Sequence, residues 1–140
     1  MTMTEFTFVD TNLFLRYLTN DLPDQADAVE RLLVRASQQE EHLITSAMVI
    51  AEIVWTLERF YKRERHEIKD KILSMLNTPG LVVEHADLVL QAIVWYEEKN
   101  VDYIDAYNAA WMLHHAVDTI YTFDQKHFRR FTGLSAVVPS

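Results

Sequence analysis

The sequence predicts an α/β domain with a three-layer α/β/α arrangement. A central, mainly parallel sheet of four to five strands carries helices on both faces. Short β-favouring runs alternate along the chain with longer segments of helical apolar periodicity, the pattern that gives parallel strands with crossover helices. No internal repeat, linker or low-complexity tract interrupts the 140 residues, so they read as one domain, 1–140. The third observation is chemical: Phe6, Phe8 and Val9 form a candidate buried strand that runs directly into Asp10. Open α/β sheets place their ligand sites at the carboxyl ends of strands.

After this first strand, Leu13 to Leu18 reads as a short helix stopped near Thr19-Asn20-Asp21. Pro23 suits the first turn of the next helix, with Asp21 as its candidate cap, and Ala26, Val29, Leu32, Leu33 and Ala36 recur at helical spacing. His42 to Thr45 is a second strand. Ser46 is placed to cap a helix opening Ala47-Met48-Val49-Ile50-Ala51-Glu52-Ile53-Val54-Trp55, apolar on nearly every side and therefore expected to be buried. A further helix runs to about Leu76, and Asn77-Thr78-Pro79-Gly80 ends it. Leu81 to Glu84 is a third strand, Asp87 to Lys99 a helix, and Ala106 to Leu113 another apolar helix with Asp105 in its first turns. Thr119 to Phe123 is a fourth strand ending at Asp124. A short helix from Lys126 to Phe131 and an edge strand at Ala136-Val137-Val138 complete the order.

Composition limits the classes of function. Hydrophobic residues make up 49% and charged residues 24%, as in ordinary globular proteins. There is no cysteine, which excludes disulfides and thiolate metal sites and fits a reducing, cytoplasmic setting. Met1-Thr2-Met3-Thr4 lacks the basic start and apolar core of a signal peptide, and no apolar run reaches the roughly 20 residues of a membrane span. A net charge of −8 argues against non-specific coating of nucleic acid. It leaves nucleic acid open as a substrate, because bound cations reverse the sign of an acidic site. Six of the 13 basic residues (Arg59, Lys62, Arg63, Arg65, Lys69 and Lys71) cluster in one segment, either a solvated helix face or a phosphate contact.

Four carboxylates interrupt or directly end apolar stretches: Asp10, Glu52, Asp105 and Asp124. Taken singly, Asp10, Asp105 and Asp124 also suit helix N-caps or first turns. Glu52, well inside its helix, does not. In a parallel sheet Asp10 and Asp124 share the carboxyl edge, and the helices of Glu52 and Asp105 begin there. Four acids on one edge would repel one another, and a hard divalent cation relieves that conflict. An all-oxygen donor set suits Mg2+ or Mn2+ rather than zinc. His114-His115 offers no zinc alternative, since adjacent histidines point to different sides of a helix.

These residues carry a resemblance. Val9-Asp10-Thr11-Asn12-Leu13, Ala51-Glu52-Ile53-Val54-Trp55-Thr56-Leu57, Asp102-Tyr103-Ile104-Asp105-Ala106 with Ala109-Ala110, and Thr122-Phe123-Asp124 occur in that order with an α/β pattern between them. The chain resembles the PIN-domain ribonucleases, specifically the toxin component of VapBC-type toxin–antitoxin pairs, over essentially its whole length. The resemblance implies a metal-dependent endoribonuclease in which Asp10, Glu52, Asp105 and Asp124 hold Mg2+ or Mn2+. It implies activated water as the nucleophile, single-stranded RNA as substrate, and products with a 5′-phosphate and a 3′-hydroxyl. Glu52 and Asp124 are both candidates to orient or deprotonate that water. Thr11 and Asn12 either support Asp10 or cap its helix, and Asp102 matches an additional acid of some relatives. Gln125, Lys126 and His127 stand where other members carry one more acid, so that ligand is expected to be absent. Arg59, Lys62, Arg63 and Arg65 become candidate RNA contacts. A cognate antitoxin and a homodimer are the implied partners, with the helices around Leu13–Leu33 as candidate docking surfaces. A PIN nuclease of RNA processing, and a PIN-like module that only binds a partner, are the alternatives. The four acids weigh against the second of these. A receiver-type phosphoacceptor would need adjacent acids near the first strand and a late lysine on a strand, and the chain has neither.

Overall fold

The computed structural model describes residues 2–140. After a 3₁₀ turn at Met3–Glu5, the elements run β1 (Thr7–Phe8), α1 (Thr11–Thr19), α2 (Pro23–Ser37), β2 (Leu43–Thr45), α3 (Ala47–Arg59), α4 (Arg65–Leu76) and β3 (Leu81–Val83). They continue with α5 (Ala86–Glu98), α6 (Tyr103–His114), β4 (Thr119–Tyr121), α7 (Gln125–Phe128) and β5 (Ser135–Val137). The expected alternation is present and every strand pairing is parallel. The strands divide into a three-stranded sheet, β1-β2-β3, and a two-stranded sheet, β4-β5, rather than one sheet of four to five. The chain forms two compact units, Met1–Ala86 and Asp87–Ser140.

In the first unit, β2 is the central strand and is buried at Leu43 and Thr45. The expectation of a buried first strand is corrected here. β1 lies at the sheet edge, Phe8 is 56% exposed, and only Val9 just beyond the strand is enclosed. Asn20 ends α1 in the left-handed conformation (φ 53°), and Pro23 opens α2. Leu22 rather than Asp21 occupies the α2 cap, because Asp21 instead accepts hydrogen bonds from Tyr61 (2.9 Å) and Thr19 (3.0 Å). Ser46 caps α3 as its sequence predicts, its Oγ accepting from the Val49 N–H at 3.1 Å.

Helix α3 is amphipathic, which corrects the reading of it as buried on nearly every side. Val49, Ile50, Ile53, Val54 and Leu57 face the core, while Met48 (80% exposed), Glu52 and Trp55 (61%) form a stripe open to solvent. The apolar letters Met48 and Trp55 disguised that stripe. Gly80 turns the chain into β3 at φ 81°, and an added Cβ there would lie 2.2 Å from the Ala36 carbonyl oxygen. No other residue type fits that close approach.

In the second unit, α5 and α6 enclose Val89, Ala92, Ile93, Tyr96, Ala106 and Ala109. Phe128 at the end of α7 and Phe131 beyond it are also buried, with the Phe131 ring against Trp95 at 5.0 Å. Arg130 donates to the Lys99 and Asn100 carbonyls at 2.9 and 2.6 Å, which ties the segment after α7 to the turn before α6. That anchoring fixes α7, and with it the residues around Asp124.

Candidate active site

Asp10 follows β1 and sits at the α1 N-cap, but its side chain makes no capping hydrogen bond. The carboxylate is exposed and open to another role. Its backbone is fixed from behind. The Val9 N–H donates to the Ile44 carbonyl at 2.9 Å, and the Val9 carbonyl accepts from Thr45 Oγ1 at 2.8 Å. Next to Asp10, the Thr11 hydroxyl is buried with no hydrogen-bond partner among the described residues. Asn12 is exposed. Because β1 and β2 are parallel neighbours, α1 and α3 both begin at the carboxyl edge of this sheet. Glu52 lies on the exposed stripe of α3, between Met48 and Trp55.

In the second unit, Asp102 occupies the α6 N-cap without a side-chain capping bond, and Asp105 lies one turn further in. Asp124 caps α7: its Oδ1 accepts from the His127 N–H at 3.4 Å. The same geometry turns the His127 ring back over Asp124. Its Nδ1 lies 3.0 Å from Asp124 Oδ2 and 3.3 Å from Asp105 Oδ2. Asp102, Asp105 and His127 each offer one ligand atom, all within 4.8 Å of one another. Burial holds the Asp105 carboxyl above its usual range; the His127 contact works in the opposite direction, and the neighbouring Asp102 and Asp124 add to the rise.

Asp10, Glu52 and Asp124 are exposed, with 48% of the Asp124 side chain accessible, so their carboxylates carry no large burial cost. Asp105, at 22%, is the partly enclosed member. Asp124 does act as a cap, one of its two open readings, and pairs with His127 as well. The role of His127 is not apparent from sequence, where its position stands only as one lacking the acid of other members. The available signal was its spacing three residues after Asp124, which is one helical turn. His115, by contrast, stacks on Trp111 at 4.1 Å, and its Nδ1 lies 2.8 Å from the Trp111 carbonyl.

The basic segment is partly committed within the first unit. Arg63 pairs with Glu67 at 3.8 Å and Arg65 with Glu58 at 3.6 Å, while Lys71 donates to the Leu18 carbonyl at 3.0 Å. Arg59 and Lys62 are exposed. A groove of about 560 Å3 runs between α1 and α2, lined by Leu13, Val29 and Leu32 together with Arg16 and Arg35.

Comparison with known proteins resolves the family. The PIN domain model matches residues 7–134, a span that contains Asp10, Glu52, Asp105 and Asp124 and most of each unit. The chain belongs to the PIN domain family. Its parallel strands and flanking helices are those of the PIN α/β/α class. The chain is also 29% identical over 97 residues to a VapC ribonuclease of Aquifex aeolicus (strain VF5), covering 69% of this chain and 71% of that protein. Among the described residues, no helix of this PIN chain is long and apolar enough to cross a membrane.

The donor set of Asp102, Asp105 and His127 fits a divalent cation. Mutually repelling carboxylates and one imidazole offer ligand atoms across a span set by two metal–ligand bonds of about 2.0–2.3 Å each. A cation would offset the burial of the Asp105 carboxylate and the like charge of Asp102 and Asp124 beside it.

Proposed function

We propose that this PIN-domain chain is a divalent-metal-dependent endoribonuclease, acting as the toxin of a toxin–antitoxin pair, with Asp10, Glu52, Asp105 and Asp124 as its metal-holding and catalytic acids. The observation that carries the reading is the meeting of Asp105 and Asp124, from separate elements, on one His127 nitrogen at 3.3 and 3.0 Å, within a chain whose residues 7–134 match the PIN domain model. The similarity to a VapC ribonuclease supports RNA as substrate.

Mg2+ or Mn2+, when bound, supplies Lewis-acid activation of water and offsets charge on the phosphoryl oxygens. Asp10, Glu52, Asp105 and Asp124 are the ligands in this reading, with Asp102 as a supporting acid beside Asp105. Glu52 and Asp124 are exposed, so each is reachable by solvent and able to accept a proton from the attacking water. Thr11 orients Asp10 or a water beside it through a hydroxyl that has no competing partner among the described residues. Asn12 borders the same helix start. Arg59 and Lys62, exposed at the end of α3 and just beyond it, contact the RNA backbone, with Arg63 and Arg65 contributing charge to that surface. A cognate antitoxin docks on α1 and α2, where Leu13 is exposed at the 560 Å3 groove. The protein is a cytoplasmic homodimer in this account.

Incubation of the purified protein with single-stranded RNA in Mg2+ or Mn2+ tests the reading. Cleavage leaving 5′-phosphate ends, abolished by chelator and in Asp105→Asn, is expected. RNA left intact under all metal conditions, or cut equally by Asp105→Asn, overturns it.

A further inference from the structure

We propose that His127 is a nitrogen ligand of the metal site and tilts its selectivity from Mg2+ towards Mn2+. The inference rests on the metal-dependent reading above and adds a residue and a preference to it.

The ring is held in place by the backbone. Asp124 Oδ1 accepts the His127 N–H at 3.4 Å, Phe128 next in the chain is buried, and Gln125 Nε2 donates to the Ala136 carbonyl at 3.0 Å. From that anchored position Nδ1 stands between two carboxylate oxygens, 3.0 Å from Asp124 and 3.3 Å from Asp105. A cation beside this nitrogen would meet an imidazole lone pair and oxygens of two acids together. Without an ion, a proton on Nδ1 can bridge those oxygens. A neutral imidazole presents either a proton or a lone pair at Nδ1, depending on tautomer, so the same ring turns from donor to ligand with no change in its net charge. His127 belongs to the group whose ligand atoms all lie within 4.8 Å, alongside Asp102 and Asp105. Asp105 is thereby shared between the acid set and the imidazole.

Exchanging one oxygen for an imidazole nitrogen has a defined chemical consequence. Mg2+ favours an octahedral oxygen shell and keeps its waters, whereas first-row transition ions accept nitrogen more readily. Mn2+ tolerates both donor types, and mixed imidazole–carboxylate sites shift preference in its direction. Lys126 and Arg129 flank the ring in sequence but offer no lone pair at neutral pH, so they cannot substitute for it.

The test is pulsed EPR of Mn2+ bound to the full-length protein. Nitrogen modulation from directly bound imidazole is expected in the wild type. It should change on labelling histidine with 15N, persist in His114→Ala and His115→Ala, and vanish in His127→Ala. Calorimetric titration should show Mn2+ affinity falling at least about tenfold in His127→Ala, with Mg2+ affinity changing less than about threefold. His127→Asp, which restores an oxygen donor, should lower the Mn2+ to Mg2+ preference below that of the wild type. Mn2+ bound without nitrogen modulation overturns the role of His127 and leaves the metal-dependent reading standing. No Mn2+ binding in the wild type overturns both. Where His127→Ala does not fold, His127→Asp decides the matter, since it too must lose the nitrogen modulation.

Discussion

Thr45→Val probes the link between the first unit's core and Asp10. Thr45 is the last residue of β2, fully enclosed, and its Oγ1 donates to the Val9 carbonyl at 2.8 Å. Valine has nearly the same shape but no donor, so the Val9 carbonyl is left without that bond in an enclosed site. An unsatisfied buried acceptor costs about 1–3 kcal/mol. The added methyl recovers up to about 0.8 kcal/mol of apolar burial. The net expected loss is therefore roughly 1–2 kcal/mol, or about 3–8 °C in the melting temperature of a chain this size. Val9 immediately precedes Asp10, so freeing its peptide also loosens the carboxylate, and Mn2+ affinity should fall with stability. Thr45→Ser separates the two effects. It keeps the hydroxyl but loses a methyl, so stability drops by about 1 kcal/mol while metal affinity is retained. Urea unfolding followed by tryptophan fluorescence, paired with Mn2+ titration, reads both quantities. A Thr45→Val protein as stable as the wild type, with unchanged Mn2+ affinity, refutes the reasoning.

Three further outcomes follow from particular contacts. Gly80→Ala forces a Cβ to 2.2 Å from the Ala36 carbonyl oxygen at a positive φ, so urea unfolding should show a loss of about 3 kcal/mol or more, if the protein folds at all. Thr11→Val removes a buried hydroxyl that has no partner among the described residues, so it should raise the unfolding free energy by up to about 1 kcal/mol while weakening Mn2+ binding; a loss of stability instead would show that the hydroxyl is a structural group. Asp105 has a raised carboxyl pKa from burial, so in the metal-free protein its contribution to stability is fully present below the unfolded value of 3.8 and is lost as pH rises through the folded value. Asp105→Asn should therefore melt higher than the wild type in chelator at neutral pH, with the gain shrinking towards acid; a gain that grows on acidification contradicts the assigned cause.

Much of this architecture was legible because its signals are local. Pro23 at a helix start, Ser46 at a cap and Gly80 at a turn each act through backbone geometry that composition reveals directly. The division of the strands into two sheets was not legible, since strands of two or three residues carry too little pattern to specify partners. Exposure was misjudged where a surface stripe is itself apolar. Met48 and Trp55 made α3 look buried, and with it Glu52, although hydrophobic letters do not guarantee burial. The acids themselves stood out by position, whereas His127 did not. Its significance depends on the turn that α7 makes after Asp124, which brings its ring to Asp105, 22 residues earlier in the chain.

The central claim is that these acids act on RNA through a divalent cation. Its most direct test is cleavage of a defined single-stranded RNA, comparing wild type with Asp10→Asn, each with and without chelator. The account predicts 5′-phosphate products from the wild type with Mg2+ or Mn2+, and a loss of at least about a hundredfold in rate on chelation or in Asp10→Asn. Equal cleavage by Asp10→Asn, or cleavage that survives complete removal of divalent metal, would contradict it.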